Sequence, residues 1–525
     1  MIGSPENKNR RTTSNRRQTA FFSPGSHKPV LTTLFQRNLS VKRLEFTVGK
    51  SVSILPQTKP SKYSTMKQKT VYAMLLIATA SLINSSCRKE SHPGTDGHLQ
   101  QTRTYSSDVV KKWLGVQLPL LYSPAVSYGV NPGRYMAYCG VALYEAVVPG
   151  MPAYQSLYGQ LNEMPQMPPT EPGKAYHWPT CANAALAEMT RKLFTFAPAT
   201  NDAVQKLEDE LNGAYSKEIG DSAIFQRSKA FGKAVAENVF TWSTTDHPWS
   251  SWPALVLTNN SPGLWWPENN NPTIANGLAY WGDTRTMVAG SIDNVTSAPY
   301  VYNDADVASP YYKDFKEVYD LSNNLTYDQK RLAKYYDDPA VNGYPGGSSY
   351  ISVFKQILEQ QDPALDIAAY AYARTGMSLF DATIGSMRAK FHFMQERPFQ
   401  FIRRVIAPSK DPATWWKPFI NTPPYPDFPA NHAVFSGAFA QALTTIFGEN
   451  MSFINSTYKG QMIDLGKGPE DMGSYSYKSF FEFAGAIAIS RVYGGIHTRH
   501  AVEEGTKQGI KTAQNIGSKV KFRRE

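Results

Sequence analysis

Cysteine is scarce: three residues in a chain of 525, which excludes a disulfide scaffold. Charge is sparse at 18% while apolar residues reach 42%, so a disordered chain is excluded as well. The polyanion-binding charge that a net +11 suggests is missing from most of the molecule. Residues 1–65 hold twelve Lys and Arg against Glu6 and Glu45, so this stretch carries ten of the eleven net positive charges. The remainder is nearly neutral, and no nucleic-acid partner is expected. Alternating strand patterns of useful length and tandem repeats are also lacking. No apolar run approaches the roughly 20 residues of a membrane-spanning helix.

What is present begins with an address. From Met66, the basic pair Lys67 and Lys69 precedes a 13-residue apolar run, Val71 to Ile83, and then Ser85, Ser86 and Cys87. This order reads as a secretory signal over 66–86. Cys87 directly after two small residues matches a bacterial lipoprotein, with Asn84 standing where a Leu is usual. The expectation is a cell-envelope protein held by a lipid on Cys87, with a polar tether over 87–105 and a folded body over 106–525. Because a signal should open a chain, residues 1–65 are expected to be a mis-assigned or disordered extension. Cys139 and Cys181 then remain, either as a disulfide or as buried thiols.

The body reads as all-α. Apolar spacing of three and four places helices at 134–147, 180–194, 202–215, 222–243, 311–321, 326–336, 348–361, 430–447, 477–493 and 498–517. Residues 362–394 read as a helix pair broken near Thr375-Gly376. Between them, 244–310 is rich in Trp, Pro, Asn and Gly and reads as a long irregular excursion over the helices.

Three segments carry chemistry. In the first, Lys390 and Arg397 are seven apart, two helical turns, and so would share a face ahead of Pro398. Two cations on an apolar helix need a shared anion, unless Asp381 and Glu396 neutralise them. In the second, Tyr425-Pro-Asp-Phe-Pro-Ala-Asn-His432, Pro429 opens a helix whose free N–H groups suit an oxyanion. His432 falls in its first turn, where a capping or core role is the plainer reading. In the third, Ser490-Arg491-Val-Tyr-Gly-Gly-Ile-His497, the glycines end a helix after Arg491 and His497 opens the next. A histidine at a helix start is disfavoured as a cation and suits a neutral ligand or nucleophile.

In order and spacing these segments resemble the superfamily of vanadium-dependent haloperoxidases and type-2 phosphatidic acid phosphatases, whose signature is Lys-x6-Arg-Pro, Pro-Ser-Gly-His and Ser-Arg-x5-His. The resemblance extends loosely over 106–515 and is nearest to the secreted, haloperoxidase-like bacterial branch. It implies a helical bundle in which Lys390, Arg397, Arg491 and the backbone of Asn431 hold the oxygens of vanadate or phosphate. It implies His432 as general acid and base, and His497 as vanadium ligand or phosphorylated nucleophile. Three activities remain open: oxidation of halide by peroxide at a His-bound vanadate, phosphomonoester hydrolysis through a phosphohistidine, and ligand binding by a surface lipoprotein with a relict site. The chain departs from the pattern at Ala430, Asn431 and Ala501. The last leaves His497 without the carboxylate that many members place one turn later. Ala501→Asp is therefore expected to improve the site, unless a native neighbour such as Glu504 already serves the second ring nitrogen.

Overall fold

The structure is a computed structural model that describes residues 100–121, 132–195, 200–247, 252–274, 278–337 and 348–525. The chain divides into two units, Met1–Pro93 and Gly94–Glu525, and every described residue lies in the second. The expected extension, signal and lipid attachment at Cys87 lie outside the described residues. The end of the expected tether, by contrast, is folded. Thr102 is buried and its hydroxyl donates to the Val147 carbonyl at 2.9 Å, while Trp178 donates to the Gln100 carbonyl at 2.7 Å.

The described body is built from helices, as its sequence pattern predicts. They are α1 (Asp108–Leu121), α2 (Pro132–Val147), α3 (Trp178–Leu193), α4 (Thr200–Ile219), α5 (Ser222–Ser243), α6 (Pro310–Asn323) and α7 (Tyr327–Tyr335). There follow α8 (Ser348–Gln361), α9 (Leu365–Phe393), α10 (Pro398–Phe401), α11 (Asn431–Phe447), α12 (Phe480–Tyr493) and α13 (Arg499–Lys519). Among the described residues, strands are confined to antiparallel pairs two or three residues long. No helix among the described residues is long and apolar enough to cross a membrane. Side-chain caps mark several starts where the sequence supplies them: Asp221 for α5, Ser309 for α6, Ser479 for α12 and Thr498 for α13.

The centre is α9, which packs along α2 and also touches α11 and α13. It is one continuous helix of 29 residues, not the pair expected from Thr375-Gly376. Gly376 answers to packing, since a Cβ there would lie 2.5 Å from the Met136 backbone of α2. The same helix ends at Phe393 through Met394 in the left-handed region, φ 53°. Cys139 and Cys181 are buried free thiols, which decides the alternative left open by the sequence.

The Trp-rich insert does more than run over the surface. Trp265 and Trp281 are buried, and Gly282 lies against the backbone of Arg388 on α9. Leu264 bridges to Gln395, Trp265 N–H donates to the Met394 carbonyl at 2.7 Å, and Glu396 N–H donates to the Gly263 carbonyl at 3.0 Å. The insert thus clamps the segment joining α9 to α10. That segment carries the first chemical motif.

Candidate active site

Lys390 and Arg397 do come together, though not by sharing a helical face. Lys390 is in the last turn of α9, whereas Arg397 lies beyond the helix, in extended conformation, as the residue before Pro398. Both are fully buried, and their cationic heads lie over the Tyr425 ring, each 5.0 Å from its centre. Lys390 Nζ donates to the carbonyls of Pro426 and Asp427 at 2.8 and 2.9 Å. Arg397 Nε donates to the Tyr425 carbonyl and Nη1 to the Ile496 carbonyl, both at 2.7 Å. Its Nη2 is buried with no hydrogen-bond partner among the described residues.

The acids that could have neutralised this pair are engaged elsewhere. Asp381 accepts from the N–H groups of Met287 and Val288 and from the Ser291 hydroxyl. Glu396 accepts from Tyr311 and Arg404. Arg491, from the third motif, is also buried; it donates to Ser490 Oγ at 3.1 Å and to the Ala333 carbonyl at 3.3 Å.

His497 is buried among these cations. It precedes the cap Thr498 and so lies just outside α13, not in its first turn. Burial first, then the positive charges of Arg397, Lys390, His432 and Arg491, hold its imidazole well below the usual histidine pKa. Its neutral state therefore comes from this surrounding, where the sequence pointed to the helix end. Arg397 Nη1 lies 3.0 Å from His497 Nε2. The same Nη1 lies 3.5 Å from Nδ1, so this cation stands beside the ring and does not choose between its nitrogens. Nδ1 also lies 2.5 Å from Oδ1 of Asp427.

Asp427 is the residue that the sequence reading missed. The expectation that His497 lacks a carboxylate looked only along its own helix, to Ala501. The structure supplies one from 70 positions earlier in the chain. Glu504, considered for that role, instead pairs with Lys507 and accepts from Ser297. Asp427 is fully buried; Gln395 Nε2 and Thr498 Oγ1 donate to its Oδ2 at 3.4 and 3.3 Å. Burial pushes its pKa up to about 7, against the pull of Arg397 and Lys390. Its presence in the second motif, two residues after Tyr425, was the available signal.

The second motif contributes the start of α11. Ala430 is its N-cap residue and gives no side-chain cap, so the helix leaves its first N–H groups without a capping side chain. His432 is half-buried in that turn and close enough to His497 to depress its pKa. The Asn431 side chain does not turn toward the cations. Ser386 donates to its Oδ1 at 2.6 Å, and its Nδ2 donates to Met387 Sδ at 3.5 Å. Its bulk is thus absorbed by α9, and its backbone is what remains for an oxyanion.

Three buried basic side chains therefore converge near the carboxylate of Asp427, which lies 3.9 Å from Arg397, and burial, then the charge of Arg397, hold the Lys390 ammonium well below its usual pKa. Such an excess of buried positive charge is costly without an anion. The donor set, the unpartnered Nη2 and the neutral imidazole of His497 suit a tetrahedral oxyanion such as vanadate or phosphate. Among the described residues no cluster of three or more His, Cys, Asp and Glu could hold a metal cation.

Comparison with known proteins agrees with this architecture. Residues 371–524 match the family model described as the VCPO second helical-bundle domain. The chain is similar to a bacterial vanadium-dependent iodoperoxidase of known structure, with 27% identity and a TM-score of 0.67, over 83% of this chain and 99% of that one. It shares its fold with the holo form of a bacterial vanadium-dependent chloroperoxidase at 15% identity and TM-score 0.54, over 78% of this chain and 92% of that one. For an apo form of such a chloroperoxidase the values are 16% and 0.55, over 74% and 94%. A search of curated protein sequences gives no match. The matched domain holds all three motifs, and with the shared fold it supports a relationship to the superfamily of vanadium haloperoxidases and type-2 phosphatidic acid phosphatase-like proteins.

Proposed function

We propose that the protein is an oxyanion-binding enzyme of haloperoxidase type, oxidising halide with peroxide at a vanadate held on His497. The observation that carries this reading is the buried, neutral imidazole of His497 among the basic side chains of Lys390, Arg397 and Arg491. Lys390, Arg397 and Arg491 would neutralise the vanadate oxygens, and N–H groups at the start of α11, Asn431 included, would add neutral donors. Bound vanadate would supply Lewis acidity toward peroxide. The chain's own work is to keep Nε2 unprotonated, to exclude water by burial, and to offer His432 as a proton acceptor and donor at the rim.

The same imidazole and cations would also serve phosphoryl transfer to His497. The discriminating experiment is paired, on one preparation: halide oxidation with peroxide and vanadate, and phosphate-ester hydrolysis without vanadate. Turnover in the first assay supports the haloperoxidase reading. Turnover in the second alone replaces it with a phosphomonoesterase, and turnover in neither favours a ligand-binding lipoprotein with a relict site.

The proposed location, the cell envelope with a lipid on Cys87, rests on the sequence of 66–87. Fatty-acid labelling that survives Cys87→Ser would refute it. Any native peptide from 1–65 would refute a start at Met66.

A further inference from the structure

The contacts of Asp427 cross all three motifs. Its N–H donates to the Gln395 carbonyl at 3.0 Å, and its own carbonyl accepts from Lys390 at 2.9 Å, which ties it to the first. Its Oδ2 accepts from Thr498 and its Oδ1 meets His497 Nδ1, which ties it to the third. Five residues later the same segment delivers His432.

The proton on His497 is located by its contact with Asp427. Arg397 Nη1 stands beside the ring, 3.0 Å from Nε2 and 3.5 Å from Nδ1, and so does not choose between the two nitrogens. Nδ1, by contrast, lies 2.5 Å from a carboxylate oxygen, and opposite an ionised carboxylate the proton of a neutral imidazole is on Nδ1. Ala501, where a helical neighbour could have supplied the carboxylate, is instead buried against Phe428, Ala430 and Ala433 in a small apolar cluster.

We propose that Asp427 is the positioning residue for His497. It fixes the ring as the Nδ1–H tautomer, aims Nε2 at the cation cluster, and stands in from a distant motif for the carboxylate absent at 501. The consequence for anion binding rests on the functional reading above; the tautomer assignment does not. Asp427 does not meet the oxyanion itself. It acts by holding the imidazole and by raising the basicity of the opposite nitrogen.

The test uses the full chain without vanadate, with nitrogen-15 in its histidines. Long-range proton–nitrogen spectra read the protonated nitrogen of His497, assigned by its loss in His497→Ala. Wild type should show the Nδ1–H form, Asp427→Asn a weakened preference, and Asp427→Ala a mixture or the opposite form. Calorimetric titration with orthovanadate, and separately with inorganic phosphate, should show affinity falling about 10–100-fold in both variants. Should Asp427→Ala fail to fold, the isosteric Asp427→Asn decides. An unchanged Nδ1–H signature together with affinities within twofold of wild type overturns the proposal. If wild type binds neither anion while the tautomer still depends on Asp427, the functional reading fails and the positioning role stands.

Discussion

Gly509 on α13 lies so close to Val434 on α11 that a Cβ on it would stand 1.9 Å from the Val434 carbonyl oxygen. This contact holds the two helices whose starts carry His432 and follow His497. A backbone oxygen cannot swing aside as a flexible side chain can. Gly509→Ala should therefore destabilise the body by about 1–3 kcal/mol or more, as overpacked cores do. It should also weaken orthovanadate binding by moving one histidine against the other. Denaturant unfolding and calorimetry on the same variant check both; wild-type stability in the variant would mean that the helices are not locked there.

The guanidinium of Arg397 bonds two carbonyls and reaches Nε2, so its planar fork matters as well as its charge. Arg397→Lys should weaken both phosphate and orthovanadate by about 1.5–3 kcal/mol, roughly 10–100-fold. Arg491→Ala should do likewise. Affinities for both anions that stay within twofold of wild type would remove these cations from the site.

Ala501→Asp was expected from the sequence to repair His497. With Asp427 already opposite Nδ1, the substitution would instead bury a carboxylate in the apolar cluster of Phe428, Ala430 and Ala433. The expected outcome is a loss of about 3–5 kcal/mol in unfolding free energy, the cost of an uncompensated buried charge. No gain in anion affinity should accompany it. A variant that is as stable as wild type and binds vanadate more tightly would show that His497 still lacked an acceptor.

Away from the site, Glu145 on α2 accepts from the Leu157 N–H at 2.7 Å and the Ser156 hydroxyl at 2.8 Å, and burial pushes its pKa up to about 7. A carboxyl whose pKa is raised on folding binds its proton more tightly in the folded state. Its contribution is most favourable below the unfolded value near 4.5 and is lost as pH rises through about 7. Relative to Glu145→Gln, wild type should lose on the order of 2 kcal/mol of stability between about pH 5 and 8. Urea unfolding at both pH values measures this; a difference that is flat, or that grows in favour of wild type, contradicts it.

The helices were legible because apolar periodicity is local, and motif order is what singled out Lys390, Arg397, His432, Arg491 and His497 as candidates. What escaped was settled by tertiary contact. Gly376 looks like a helix break in one dimension, yet it is the point where α9 meets the Met136 backbone. Met394 ends α9 in a left-handed conformation, which no property of methionine announces. This end, rather than a helical repeat, carries Arg397 round to Tyr425. Asp427 and His497 are 70 residues apart, so no helical-spacing argument could pair them. The insert disclosed its irregular backbone through Trp, Pro and Asn, but not that Gly263 and Leu264 would brace Gln395 and Glu396.

The central claim is that His497 Nε2 and the buried cations form one oxyanion site. A calorimetric titration of the purified chain with orthovanadate, repeated in saturating inorganic phosphate and with His497→Ala, tests it most directly. The account predicts one-to-one binding in wild type, competition that phosphate makes complete, and loss of most vanadate affinity in His497→Ala. Vanadate binding that is unchanged by both phosphate and the His497 substitution would contradict it.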